Sequence, residues 1–332
     1  MDRNSWVYPS LYCVLFVLLV NGGLIAGTGA AEERSGPIRI GALTASWGPT
    51  PQVVGLRDGL VKLGYLENEQ FVIGVRFTQG NLEALPTAAR EMVQYGVDLI
   101  FTHREDAAKA AQSATTQIPI VFVAVNDPVG VGLIQSFARP GGNITGVTDL
   151  QLKLGPKRLE LFQEIVPGLK RVLYAYDPTD AYSVSGATVY RDAARRLGIV
   201  LVEKAVRSEE EAQAIIAQVR RGEVDGLLRP ASPSLNIPGF ILEAASQQGI
   251  PTMFNTAFWV ERGALASYGA DEYDSGRQAA RLVDRILKGA DPAEVPVEVN
   301  SKIEFAINLK VAKALGLTIA PEVLYRADRL VR

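Results

Sequence analysis

One cysteine, Cys13, and one histidine, His103, are the whole supply of those side chains in 332 residues. Zinc sites, Ser-His-Asp triads and Cys-His pairs therefore have almost no material. The chain also lacks a Walker loop and a Gly-x-Ser-x-Gly elbow. Gly130-Val-Gly132 starts a dinucleotide fingerprint, but Gln135 stands at the third glycine position and the motif follows the wrong strand. No metal, no organic cofactor and no enzymatic activity are expected. Charge of one sign is missing too: 34 basic residues face 36 acidic ones, which leaves no electrostatic footprint for nucleic acid.

Long apolar runs are as scarce. The run Leu11–Val20 follows Arg3 and precedes the small residues Thr28-Gly-Ala30. Ten apolar residues followed by Asn21-Gly-Gly are short for a bilayer span, so a cleaved export signal is favoured over the alternative of a membrane anchor. Residues 1–31 are read as that signal, with the mature chain starting near Ala31 or Glu32. Cys13 lies inside it with Leu11-Tyr12 ahead, unlike a lipoprotein signal, so disulfides are excluded from the mature chain.

Two domains are expected from length alone. From Ile38 onward β-branched runs alternate with helix-period stretches, the pattern of doubly wound parallel sheets. Strands are expected at 38–43, 71–77, 97–101 and 118–125, with helices between them at 53–63, 82–95 and 105–114. The second half repeats that order from Val172 to Phe254. Its punctuation matches: Leu63-Gly64 with Leu197-Gly198, Val97-Asp98 with Val224-Asp225, and Ile118-Pro119 with Ile250-Pro251. The offsets are 134, 127 and 132 residues. A long amphipathic helix at 271–288 follows. Asn81 is read as the cap of one helix and Ser208-Glu-Glu-Glu211 as the capping box of another.

Ligands of open parallel sheets gather beyond the carboxyl ends of the strands. In the first half those positions hold Thr44, Ser46, Trp47, Thr102, His103, Asn126 and Asp127. In the second they hold Tyr176, Tyr182, Arg229, Asn255 and Phe258, and Tyr268 and Asp271 stand where the chain turns again. Aromatic walls with a few polar groups suit a small-molecule pocket. Taken singly, the aromatics could equally pack loops and the polar residues cap helices.

The stretch "VFVAVNDPVGVGLIQSFARPGGNITG" resembles the Asp-Pro-Val…Ala-Arg-Pro-Gly-Gly-Asn signature of the ABC-transporter substrate-binding protein family that includes tryptophan and tyrosine receptors. The stretches "SYGADEYDSGRQAARLVDRILKGADPAEVPVE" and "FAINLKVAKALGLTIAPEVLYRADRLV" are similar to its C-terminal signatures. The resemblance implies a type I periplasmic-binding fold: two α/β domains joined by a three-strand hinge, crossing near 147, 267 and 301. The first domain would comprise 38–147 plus 267–300, the second 148–266 plus 301–332. Arg139–Gly146 would approach the first hinge strand, and Asp127 would sit on the cleft rim. The implied role is capture of a small solute, amino-acid-like or another small organic molecule, by a periplasmic monomer that delivers it to a membrane ABC permease. A sensor subunit presenting ligand to a membrane signalling protein is the alternative.

One departure bears on the solute. Where the family usually carries a small pair such as Thr-Pro, this chain has Glu105-Asp106 after His103-Arg104. A ligand carboxylate aimed at that helix start would meet two acids. The expectation is a solute that is cationic, neutral or anchored elsewhere, with Arg229 as the candidate; the alternative is that both acids face solvent.

Overall fold

The structure, a computed structural model, describes residues 36–220, 222–230 and 240–332. The expected export signal lies outside the described residues. The chain runs β1 (Ile38–Thr44), α1 (Pro51–Lys62), β2 (Phe71–Phe77), α2 (Leu85–Gln94), β3 (Leu99–His103), α3 (Glu105–Ala114), β4 (Ile120–Val123) and β5 (Ile144–Thr148). It continues through α4 (Gly155–Ile165), β6 (Arg171–Tyr176), α5 (Ala181–Leu197), β7 (Val200–Ala205), α6 (Glu209–Gln218), β8 (Gly226–Leu228), α7 (Phe240–Gln248) and β9 (Thr252–Phe254). Then come α8 (Ala257–Val260), β10 (Ala266–Ala270), α9 (Glu272–Leu287), β11 (Glu298–Val299), β12 (Ile303–Asn308), α10 (Leu309–Ala314), α11 (Pro321–Tyr325) and β13 (Arg329–Val331).

The strands form two sheets, ordered β11-β5-β4-β3-β1-β2 and β13-β12-β10-β9-β8-β6-β7. Within each, the first five strands in chain order stand 2-1-3-4-5, so the matched punctuation of the two halves reflects one topology used twice. Pairing is parallel except for β10 with β12. The strands read as continuous apolar runs because both faces are covered. In the first lobe Ile100, Phe122 and Ile144 meet α2 and α3, while Ile40, Phe101 and Val121 meet α1 and α9. In the second, Val172 and Tyr174 pack with Phe162 and Tyr190 on one face, and Leu173 and Leu227 with Ile241 and Trp259 on the other.

Helix α1 begins where Thr50 accepts the Val53 amide and Pro51 takes the first turn. It lies against α9 so closely that a Cβ on Gly55 would stand 2.0 Å from the Tyr273 carbonyl oxygen, and one on Gly276 2.0 Å from that of Gln52. Ser208 accepts the Glu211 amide at its helix start as expected, whereas Asn81 accepts the Ala84 amide in the turn before α2, whose N-cap position is Ala84. The chain after Pro128 runs through a series of turns. At Gly141-Gly142 the chain turns with φ of 73° and 67°, conformations that suit glycine, and then enters β5.

The chain passes between sheets three times. It leaves the first after Thr148, leaves the second after Ala270, and leaves the first again after Val299. The second crossing was expected at 267. The whole of β10 pairs with β9 or β12, which keeps Ser267 through Ala270 in the second sheet. Asn300 ties the crossings together: its amide nitrogen donates to the Thr148 carbonyl at 2.7 Å. Its side chain donates to the Asp271 carbonyl and to Ser275 Oγ, both at 2.8 Å.

Candidate functional site

The carboxyl ends of both sheets face a cavity of about 370 Å³. The first lobe contributes the β1–α1 loop and the strand ends after β3 and β4. Thr44 is buried at the end of β1, where its Oγ1 stands 3.2 Å from His103 Nδ1 and accepts the Ser46 amide at 3.1 Å. That fixes the loop carrying Ser46, Trp47 and Thr50 along the cavity, followed by Gln52 in the first turn of α1. From the second lobe and the crossings come Asp149, Gln151, Tyr182, Arg229, Asn255, Phe258, Trp259 and Glu272.

Of the residues expected from sequence, Ser46, Trp47, His103, Asn126, Tyr182, Arg229, Asn255 and Phe258 line this cavity. Six others are engaged elsewhere. Thr44 lies beneath His103, and Thr102 is buried within β3. Asp127 accepts the Gly130 amide at 2.9 Å in an exposed turn, and Tyr176 packs on the second-lobe core. The Tyr268 ring stands edge-on to Phe305, while Asp271 caps α9 and pairs with Lys302 at 2.7 Å. Gln52, Arg104, Asp149, Gln151 and Glu272 also line the cavity and were not among the expected ligands. Asp149 and Gln151 follow β5 directly, the same carboxyl-end rule that found the others.

The charges in the cavity are of both signs. Arg229 is enclosed, and burial lowers its pKa, opposed by the nearby charge of Glu272. Burial pushes Glu272 up to about 7, with Arg229 pulling the other way. Burial likewise pushes Asp149 up to about 6, against backbone and side-chain hydrogen bonds from Gln151. His103 is driven down to about 3 by burial and then by Arg104 and Arg229, so its ring is neutral near pH 7. Behind the wall, buried Arg158 donates to the Tyr268 carbonyl at 2.6 Å, Tyr190 Oη at 2.6 Å and Gln151 Oε1 at 2.9 Å. Gln151 is thereby held in place. Gln52 Oε1 and Asn255 Oδ1 are buried without a hydrogen-bond partner, and buried polar atoms of this kind are ordinarily satisfied. Among the described residues no group of His, Cys, Asp and Glu could hold a metal ion.

Backbone strain is concentrated at the same strand ends. Arg104, Ala124 and Leu150 follow β3, β4 and β5 with φ of 76°, 58° and 50°. Each costs on the order of 1–3 kcal/mol in a non-glycine residue. Helix α3, which begins at Glu105, opens onto a neighbouring recess rather than the main cavity. There Glu105 pairs with Lys109, and Asp106 is largely buried with its pKa raised chiefly by desolvation.

Known proteins share this arrangement. A tyrosine-binding protein of Clostridioides difficile (strain R20291) is 29% identical over 273 residues, covering 80% of this chain and 78% of that protein. The crystal structure of an ABC domain in complex with L-Trp from Streptococcus pneumonia superposes with a TM-score of 0.80 at 28% identity, covering 89% of this chain and 100% of that one. A ligand-free, open substrate-binding protein with adhesive properties from Clostridium difficile gives 0.63 at 26% identity, over 89% of this chain and 99% of that one. The family model described as ABC transporter substrate binding protein matches residues 48–331. Capture of small solutes rather than catalysis is the business of that family, and this chain belongs to it.

Proposed function

We propose that this chain is the exported receptor of an ABC importer and that its cleft takes an amino-acid-like solute with an aromatic side chain. One observation carries the reading: the cavity at the strand ends offers desolvated ionisable groups of both signs beside aromatic surfaces. An α-amino acid is a zwitterion. Its ammonium suits Asp149 and Glu272, and its carboxylate suits Arg229, since charges taken out of water are stabilised by matching ones. Trp47, Tyr182, Phe258 and Trp259 offer rings for the side chain. The volume is at the small end for ligand pockets, in keeping with one amino acid. The two named relatives that bind tyrosine and tryptophan support the same class. Glu105 and Asp106 stand outside the cavity, which supports anchoring of the carboxylate at Arg229 rather than at the start of α3.

A thermal-shift screen of the mature protein against amino acids, small acids and nucleosides tests this. At a hundred times its Kd, a ligand adds about 2.7 kcal/mol of stability. Tyrosine or tryptophan should give the largest shift; a screen in which only nucleosides or non-amino acids stabilise would replace the reading.

Capture requires closure about the three crossings, the lobes being 38–148 plus 271–299 and 149–270 plus 300–332. Export rests on residues 1–31. Mass spectrometry of periplasmic extract should find an amino terminus near Ala31 or Glu32, and an intact Met1 there would contradict cleavage.

A further inference from the structure

The ligand cavity and the neighbouring recess of about 280 Å³ share Arg104 as a wall. The recess is acidic, lined by Glu105, Asp106, Asp177 and Asp180. Two of these are engaged locally: Glu105 pairs with Lys109, and Asp177 accepts from the Thr179 amide and hydroxyl at 2.8 and 2.6 Å. Asp180 caps α5, its Oδ1 accepting the Tyr182 amide at 2.9 Å, which leaves its Oδ2 and the Asp106 carboxyl, one from each lobe, facing the recess. Arg104 reaches both electrostatically. Its Nη2 stands 3.9 Å from Asp180 Oδ2, and its positive charge opposes the desolvation that raises Asp106.

The same guanidinium lies 5.0 Å from the centroid of the Tyr182 ring, within cation–π range. Arg104 belongs to the first lobe, and Asp180 and Tyr182 to the second, so these contacts depend on the lobes being together. The chain holds this arginine at φ 76° and ψ 168°, a conformation suited to glycine. A strained residue persisting at a ligand cleft directs attention to a role there.

We propose that Arg104 determines specificity: it bridges the closed lobes to Asp180 and Tyr182, and its guanidinium occupies the acidic recess that would otherwise admit a cationic extension of the solute. This rests on the cleft being the solute site. It leads to a discriminating expectation. With Arg104 in place, aromatic side chains are confined to the main cavity and cationic ones are repelled. With it removed, a ligand's own guanidinium can take its place.

Arg104→Gly suits the backbone and should melt as a folded protein. Calorimetry would compare wild type, Arg104→Gly and Arg104→Gly/Asp180→Asn, using L-arginine and propylguanidine as probes. Arg104→Gly should bind L-arginine at least tenfold more tightly than wild type, and Asp180→Asn should remove that gain. Propylguanidine, which has no amino-acid head, should bind the glycine variant and not wild type. That result would stand even if no natural amino acid bound wild type, which separates this proposal from the assignment of the solute. Asp180→Asn alone keeps the helix cap and should weaken the best amino-acid ligand about fivefold through loss of the bridge. A folded Arg104→Gly with no gain for either probe overturns the proposal, as does a gain that survives Asp180→Asn, or an Asp180→Asn protein of wild-type affinity.

Discussion

Gly276→Val should destabilise the protein by at least about 3 kcal/mol, the upper range for overpacking, and lower its melting temperature by roughly 6–12 °C. A Cβ at this position would meet the Gln52 carbonyl oxygen at 2.0 Å and the Leu56 amide nitrogen at 2.8 Å. Both are backbone atoms inside α1, so no rotamer change relieves the overlap. The helix must move away. That would expose Leu56, Leu60, Ala280 and Val283, which are buried between the helices and the first sheet, and displace Gln52 from the cavity wall. Gly74 supplies the control: it lies in β2 with nothing within 4 Å of an added Cβ. Gly74→Ala should be neutral or slightly stabilising. Equal melting temperatures for Gly276→Val and wild type would show that α1 and α9 do not meet this closely.

The second large effect is on binding. Binding of an amino acid should strengthen on the order of thirtyfold from pH 5.5 to pH 8, provided its ammonium meets Glu272 in ionised form. Glu272 is raised to about 7 and Asp149 to about 6, burial being the main cause for both. In the empty protein a raised carboxyl contributes stability that is fully present below its unfolded value, near pH 4. That contribution is lost as pH rises through 6 and 7. A bound ammonium favours the ionised form, so it draws both values down and releases protons over the same window. His103 is lowered to about 3 and takes no part in that window. Calorimetry in buffers of different ionisation enthalpy measures the protons directly. Glu272→Gln should flatten most of the pH dependence; a steep dependence retained in that variant would move the role to Asp149.

The duplication was legible because both sheets bury their strands on two faces, and continuous β-branched runs with matched stops record that burial. Helix α4 was not. Its Pro156 sits in the first turn, where the missing amide costs nothing, and no side chain caps its start. Half of the site was legible for a simple reason: a polar or aromatic residue just past a strand faces the cleft. The rule failed where the strand end is roofed by another element. Tyr268 lies on β10, a strand flanked by β9 and β12, and its ring turns to Phe305. Asp271 and Glu272 are neighbours, and only the start of α9 decides which caps the helix and which lines the cavity. Asp149 and Gln151 lie on a crossing between sheets that carries no periodic pattern to mark them.

Closure around a solute is the central claim, and small-angle scattering tests it most directly. The mature protein would be measured alone and at saturation with whichever amino acid gives the largest thermal shift. The account predicts a smaller radius of gyration on binding, with the bound profile matching residues 36–332 as arranged here and the free profile matching lobes opened about the crossings at Thr148, Ala270 and Asn300. Identical profiles with and without ligand at confirmed saturation would contradict it.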